Sequence, residues 1–140
     1  MLDRLEIVVA PIQLPLGRVL RAELIVNGTP LASLLEAAED NTGHAPLVVD
    51  DVLPHLRDAL RHGLRPTRVQ VLGCTCGDDR CSWVTLTQRS RPEAVCWDGF
   101  QTSRTDELAA GPFIFDRALY ETALRAPRRA EQPVGRYAED

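Results

Sequence analysis

Two groups of period-two alternation, separated by two stretches of helical period, limit what this 140-residue chain can fold into. Residues 4–10 set Leu5, Ile7 and Val9 against Arg4, Glu6 and Val8, the pattern of a half-buried strand. A loop punctuated by Pro11, Pro15 and Gly17 follows. In a second strand over 19–26, Leu20, Ala22, Leu24 and Val26 share one face, while Arg21 and Glu23 take the other. These two strands are expected to pair as a hairpin. Asn27-Gly28 closes the second strand in a turn, and Thr29-Pro30 reads as an N-cap with proline at the first helical position.

Leu31, Leu34, Leu35 and Ala38 then repeat at i, i+3, i+4 and i+7, one apolar helical stripe that stops near Asn41-Thr42-Gly43. Glu36, Glu39 and Asp40 fall on its outer side. A second helix is expected from a cap at Asp51, with Val52, Leu56, Ala59 and Leu60 inward and Gly63 closing it. Three β segments follow at 67–74, 82–88 and 93–98. A last helix, from about Asp116 to Ala126, buries Leu119, Tyr120, Ala123 and Leu124 and ends at Pro127. The order ββααβββα predicts an α+β fold, a single domain over 4–126 with one antiparallel sheet and helices mainly on one face. The polar stretch 127–140 has no periodicity and reads as a flexible C-terminal tail.

The stretch Cys74-Thr75-Cys76-Gly77-Asp78-Asp79-Arg80-Cys81 joins two of the β segments. With Gly77 to Arg80 as a four-residue hairpin loop, Cys76 faces Cys81, Cys74 faces Trp83, Val71 faces Leu86 and Val69 faces Gln88. Val69, Val71, Val84 and Leu86 then share the core face, and Cys74, Cys76, Cys81 and Trp83 the opposite one. A loop over Arg89–Pro92 pairs Leu86 with Val95 and Val84 with Trp97, which puts Trp97 in the core. Cys96 then lies opposite Thr85, more than about 10 Å from Cys74 and Cys81, too far to join them.

Three readings of the turn stand side by side. The cysteines are reduced thiols packed as small apolar residues beside Trp83. Or Cys74, Cys76 and Cys81 converge on one zinc ion, with His44 as the distal candidate for a fourth ligand. His55 and His62 cannot both serve, because seven residues of helix separate them by about 10.5 Å. Or Cys76 and Cys81 form a redox-active pair, although directly opposed strand residues sit slightly too wide for an unstrained disulfide.

Composition removes other chemistries. All sixteen basic residues are arginine. Schiff-base catalysis, pyridoxal phosphate attachment and a standard Walker A loop all need a lysine, so they are excluded. The net charge of −4 argues against a nucleic-acid partner. No apolar run approaches the ~18 residues of a membrane span. Acidic residues inside Met1-Leu2-Asp3-Arg4-Leu5-Glu6 speak against a secretory signal and for the cytoplasm, where free thiols precede disulfides. No G-x-S-x-G, H-E-x-x-H or G-x-G-x-x-G occurs. His44 with Asp50 or Asp51 reads as a loop histidine beside a helix cap. Arg89, Arg91 and Arg104 near Trp97 and Phe100 read as solvated hairpin ends as readily as an anion patch. Asn27-Gly28-Thr29 is a sequon that serves as a turn.

Cys76-Gly77 with Cys81, Trp97-x-x-Phe100, and Gly111-Pro112-Phe113-x-Phe115-Asp116-Arg117-x-x-Tyr120-Glu121-x-x-Leu124 resemble a family of short uncharacterised proteins from high-GC bacteria. Val26-Asn27-Gly28-x-Pro30-Leu31 fits the same family less specifically. The resemblance covers about half the chain and implies no activity, cofactor or partner. The residues therefore lead to two expectations. The first is a non-enzymatic binding or scaffold domain with a structural cysteine turn, carrying either no cofactor or one zinc ion. The second is a thiol-dependent redox enzyme or sensor using Cys76 and Cys81. An exposed edge at the first or fifth strand makes a homodimer physically reasonable.

Overall fold

The computed structural model describes residues 2–38, 43–104 and 107–137. Strands β1 (Leu5–Leu14) and β2 (Gly17–Val26) pair antiparallel along their whole length, from Leu5 opposite Val26 to Leu14 opposite Gly17. The loop expected over 11–17 shrinks to the turn at Pro15 and Leu16. Pro11 is tolerated inside β1 because the outer side of that strand is paired only at Val8 and Val9, so a missing donor costs no ladder bond there. Asn27 and Gly28, both at positive φ, turn the chain. Thr29–Pro30 then pairs back onto β2 as a short β3, where the sequence reading expects a helix cap.

Helix α1 (Leu31–Ala38) buries Leu31, Ala32 and Leu35. Its expected stop at Asn41-Thr42, with Glu39 and Asp40, lies outside the described residues. The stretch before the next helix contains a strand, β4 (His44–Pro46). Helix α2 (Val49–Ala59) begins two residues ahead of Asp51. Asp50 and Asp51 therefore stand in its first turn, against the positive end of the helix dipole, instead of one of them capping it. A single 3-10 turn, Leu60–His62, leads to Gly63 at positive φ. Strands β5 (Thr67–Cys74), β6 (Val84–Ser90), β7 (Ala94–Thr102) and β8 (Phe113–Asp116) follow. Helix α3 (Arg117–Arg125) is capped by the Asp116 carboxylate, which accepts the Leu119 N–H at 3.0 Å. A two-residue strand, β9 (Arg128–Arg129), comes last.

The chain is a small, sheet-rich mixture of strands and helices, but the single sheet of the sequence reading is two. One runs β3-β2-β1-β9 and the other β4-β5-β6-β7-β8. The two sheets meet where the chain leaves β4 and runs along the outer edge of β2. Ala22 donates its N–H to the Leu47 carbonyl at 2.9 Å, and Arg21 bridges Val48. Helix α2 packs against β2 and β5, and α3 against β1, β7 and β8. One apolar cluster draws on Leu24 of β2, Leu35 of α1, Leu56 of α2, Leu86 of β6, Trp97 of β7, Phe115 of β8 and Leu124 of α3. Among the described residues, no helix is long and apolar enough to cross a membrane.

Register differs from the sequence reading at both later hairpins. Val69 faces Leu86 and Thr67 faces Gln88, and a bulge between Gln70 and Leu72 turns both Val71 and Leu72 inward. Before the bulge the offset along β5 and β6 is two residues, so those side chains keep their faces although their partners change; past it, Leu72 lies opposite Val84. On β7, Trp97 lies opposite Gln88, not Val84, and Cys96 opposite Arg89, not Thr85. Trp97 is fully buried, as its pattern predicts. Its indole N–H needs an acceptor there, and both Gln88 Oε1 (3.1 Å) and the Tyr120 hydroxyl (3.2 Å) are in reach. Tyr120 in turn donates to Gln88 Oε1 at 2.5 Å, and Gln88 Nε2 reaches the Leu56 carbonyl.

The second face of the β1–β2 hairpin, which alternation assigns to water, is also interior. Arg21 is 4 % and Glu23 0 % exposed. The segment expected to be a loose tail supplies part of the cover. Ala130 packs against Val8, Ala10 and Ile25, and Tyr137 against Ile12 and Leu14. The Glu23 carboxylate accepts the N–H groups of Val134 (2.7 Å) and Gly135 (2.9 Å) and the Tyr137 hydroxyl (2.6 Å).

Glu23→Ala leaves these three donors without their acceptor. Stability in urea should fall by about 2 kcal/mol, and trypsin should cut after Arg128 and Arg129 sooner than in the parent. An unchanged cutting rate would show that Glu23 does not anchor the segment. A second expectation concerns the only two tyrosines of the chain. Burial holds both phenols well above their ordinary value of 10, and the bond to Glu23 raises Tyr137 further. Above pH 10 the folded chain therefore keeps protons that the unfolded chain has lost, so stability falls as pH rises. Tyrosinate absorbance should appear together with the loss of circular dichroism. Tyrosinate forming ahead of unfolding would contradict this.

Candidate metal centre

The β5–β6 ladder ends near Cys74 and Val84, so residues 75–83 form a long turn instead of the four-residue loop of the sequence reading. Cys76 and Cys81 are consequently not a facing strand pair. What the turn does is fold back on itself. Gly77 donates to the Cys74 carbonyl and Cys81 to the Asp78 carbonyl, both at 3.0 Å, and the Asp78 carboxylate accepts the Arg80 N–H at 2.9 Å. This curl brings the Sγ atoms of Cys74, Cys76 and Cys81 within 4.8 Å of one another. All four cysteines of the chain are free thiols.

Two of the three sulfurs also receive backbone donors. The Cys76 N–H points at Cys74 Sγ and the Asp78 N–H at Cys76 Sγ, each at 3.4 Å. Such donors favour a thiolate over a thiol. Burial acts to raise the Cys74 thiol, but the Cys76 N–H and the Cys76, Cys81 and Ser82 side chains outweigh it and leave that group lowered. Cys81, hydrogen-bonded to Cys74 and Cys76 and repelled by their charge, is pushed up to about 11. Four-coordinate zinc with bonds of about 2.3 Å sets its sulfurs roughly 3.8 Å apart. The three thiols here need close by only about 1 Å.

The turn is gripped from several sides. Gly77 sits at φ +101°, and a Cβ there would lie 2.9 Å from Leu16 Cβ, so glycine lets the turn rest on the tip of the first hairpin. Leu16 N–H reaches the Cys76 carbonyl at 3.2 Å, and Thr75 N–H the Gly43 carbonyl at 2.8 Å. At Gly73 a Cβ would collide with Asp79 Oδ1. That oxygen is held at 3.0 Å by the buried Arg21, whose guanidinium also donates to the carbonyls of Pro46 (2.7 Å) and Gly77 (3.4 Å). Gln70 Nε2 binds the Asp79 carbonyl at 3.1 Å.

The sequence reading finds the three cysteines but none of these supports. Gly77 alone carries a legible signal. Arg21 reads as an outward strand residue, and nothing local says which of Asp78 and Asp79 would pair with it. His44 lies directly opposite Cys74 in the β4–β5 ladder, yet its ring nitrogens are not among the atoms that converge with the sulfurs. His44 is one of the residues lining a cavity of about 230 Å³, with Glu36, Thr75, Arg136 and Tyr137. His55 is exposed on α2, and His62 Nδ1 engages Arg65 at 2.7 Å. Cys96 stands apart, its thiol raised by burial and by Asp98. Arg89 grips Asp98 through both carboxylate oxygens, at 2.9 and 3.0 Å, which removes it from an anion patch. A groove of about 540 Å³ between β1 and α3 is lined by no cysteine or histidine.

No family model, curated protein or solved structure matches the chain.

Asp79→Ala should be costly, since it strips the carboxylate from a buried arginine. The expected loss is about 3 kcal/mol in a denaturant titration, against under about 1 kcal/mol for Asp78→Ala, whose partners are exposed. Equal effects of the two substitutions would mean that Arg21 does not hold the turn.

Proposed function

We propose that this chain is a non-enzymatic binding or scaffold domain of a reducing compartment such as the cytoplasm, and that its cysteine turn holds one zinc ion through Cys74, Cys76 and Cys81. The observation that carries the reading is the convergence of three sulfurs within 4.8 Å. Thiolates are soft donors that select zinc and related ions over magnesium or calcium. The N–H donors to two of the sulfurs support the reading, because they stabilise ligand charge before a metal arrives. Bound zinc would tie the end of β5 to the far limb of the turn, at Cys81. It would thereby add a cross-link to a turn already held by hydrogen bonds, the Arg21–Asp79 ion pair and the contact with Leu16.

The test is the metal content of untagged protein purified without chelator, by elemental mass spectrometry. About one zinc per chain is expected. Cys74→Ser, Cys76→Ser and Cys81→Ser should each lose most of it, while Cys96→Ser should keep it. A metal-free parent protein with all thiols reactive would sink the reading. A disulfide forming within the turn under mild oxidant in that metal-free protein would favour thiol redox chemistry instead.

A further inference from the structure

We propose that the metal held by Cys74, Cys76 and Cys81 keeps its fourth coordination position turned to the outside and takes an external thiolate there. This rests on the metal reading above. Three protein ligands on zinc leave one position for water or an incoming group. Among the described residues, no further Cys, His, Asp or Glu joins the three sulfurs within 4.8 Å. The adjacent carboxylates are engaged elsewhere, Asp78 with the Arg80 N–H at 2.9 Å and Asp79 with Arg21 at 3.0 Å. His44 is opposite Cys74 along the ladder, but it is not among the residues whose ligand atoms converge with the sulfurs.

The direction of that position follows from the turn. The N–H groups of Cys76 and Asp78 point at two of the sulfurs, so the backbone of the turn occupies their inner side. Cys81 is exposed and marks the outer side. The rim mixes the exposed charges of Asp78 and Arg80 with two apolar side chains. Leu16, packed on Gly77, is 72 % exposed, and Trp83, two residues past Cys81, is 36 % exposed. A thiolate matches the three soft ligands already in place, and a metal they select takes it in preference to a hard carboxylate. In the exchange, a metal–sulfur bond forms, a metal-bound water leaves intact, and the thiol proton passes to solvent. The thiolate can belong to a small molecule or to a cysteine of a second copy of this chain.

Cobalt(II) loaded into the wild-type protein under a phosphine reductant separates these cases. Three thiolates give a sulfur-to-metal charge-transfer band. Added 2-mercaptoethanol should raise it by about one third, saturably, as a fourth sulfur binds, with the protein monomeric by light scattering. A four-thiolate band before any thiol is added, together with dimers, would place the second copy's cysteine in the position and also support the proposal. A band that does not respond to thiol in the monomer overturns it. If His44→Ala then restores the response, His44 is the ligand that closes the site. No charge-transfer band at all would instead remove the metal reading, and this inference with it.

Discussion

Arg21 and Glu23 put opposite charges two residues apart on one buried face of β2, and the arrangement of the rest of the molecule follows from how each is satisfied. A charge taken out of water is tolerated only with close polar partners. Arg21 finds them in the cysteine turn and at Pro46. Glu23 finds them in the C-terminal segment. An apolar pair on the same strand would accept any greasy cover. These two side chains discriminate, since the guanidinium asks for acceptors and the carboxylate for donors. The hairpin thereby selects which distant segment lies over which half of its second face.

That selection explains what the sequence reveals and what it withholds. Alternation is a local property, so it identifies inward residues such as Val69, Leu86 and Trp97 even where the pairing is displaced. A slip of two or four residues leaves every side chain on its face. The number of sheets is not local. The two sheets meet where Leu47 and Val48 run along the edge of β2, and nothing in their own pattern announces that contact. The outward reading of Arg21 and Glu23 fails for the same reason. Alternation reports which residues share a face, but not whether something far along the chain covers it. Residues 127–137 lack any periodicity, because their order comes from two ladder positions and one carboxylate.

The candidate site follows the same division. Spacing is enough to group Cys74, Cys76 and Cys81, because any compact turn over so short a stretch brings them near one another. Whether they meet across a ladder or within a curl depends on where pairing stops, and the bulge at Gln70 and Leu72 alters that. The turn's shape is then set by groups outside it: the hairpin tip at Leu16, the Gly43 carbonyl and Arg21.

The separation between the two buried charges and their partners also orders events during synthesis on the ribosome. The first hairpin emerges early, with Arg21 and Glu23 side by side. The carboxylate that answers Arg21 arrives 58 residues later, and the donors that answer Glu23 arrive 111 to 114 residues later. Until then one face of the nascent hairpin carries charges that only water can satisfy, which keeps that face hydrated and averse to sticking. The face closes once residues 134–137 bring their donors to Glu23.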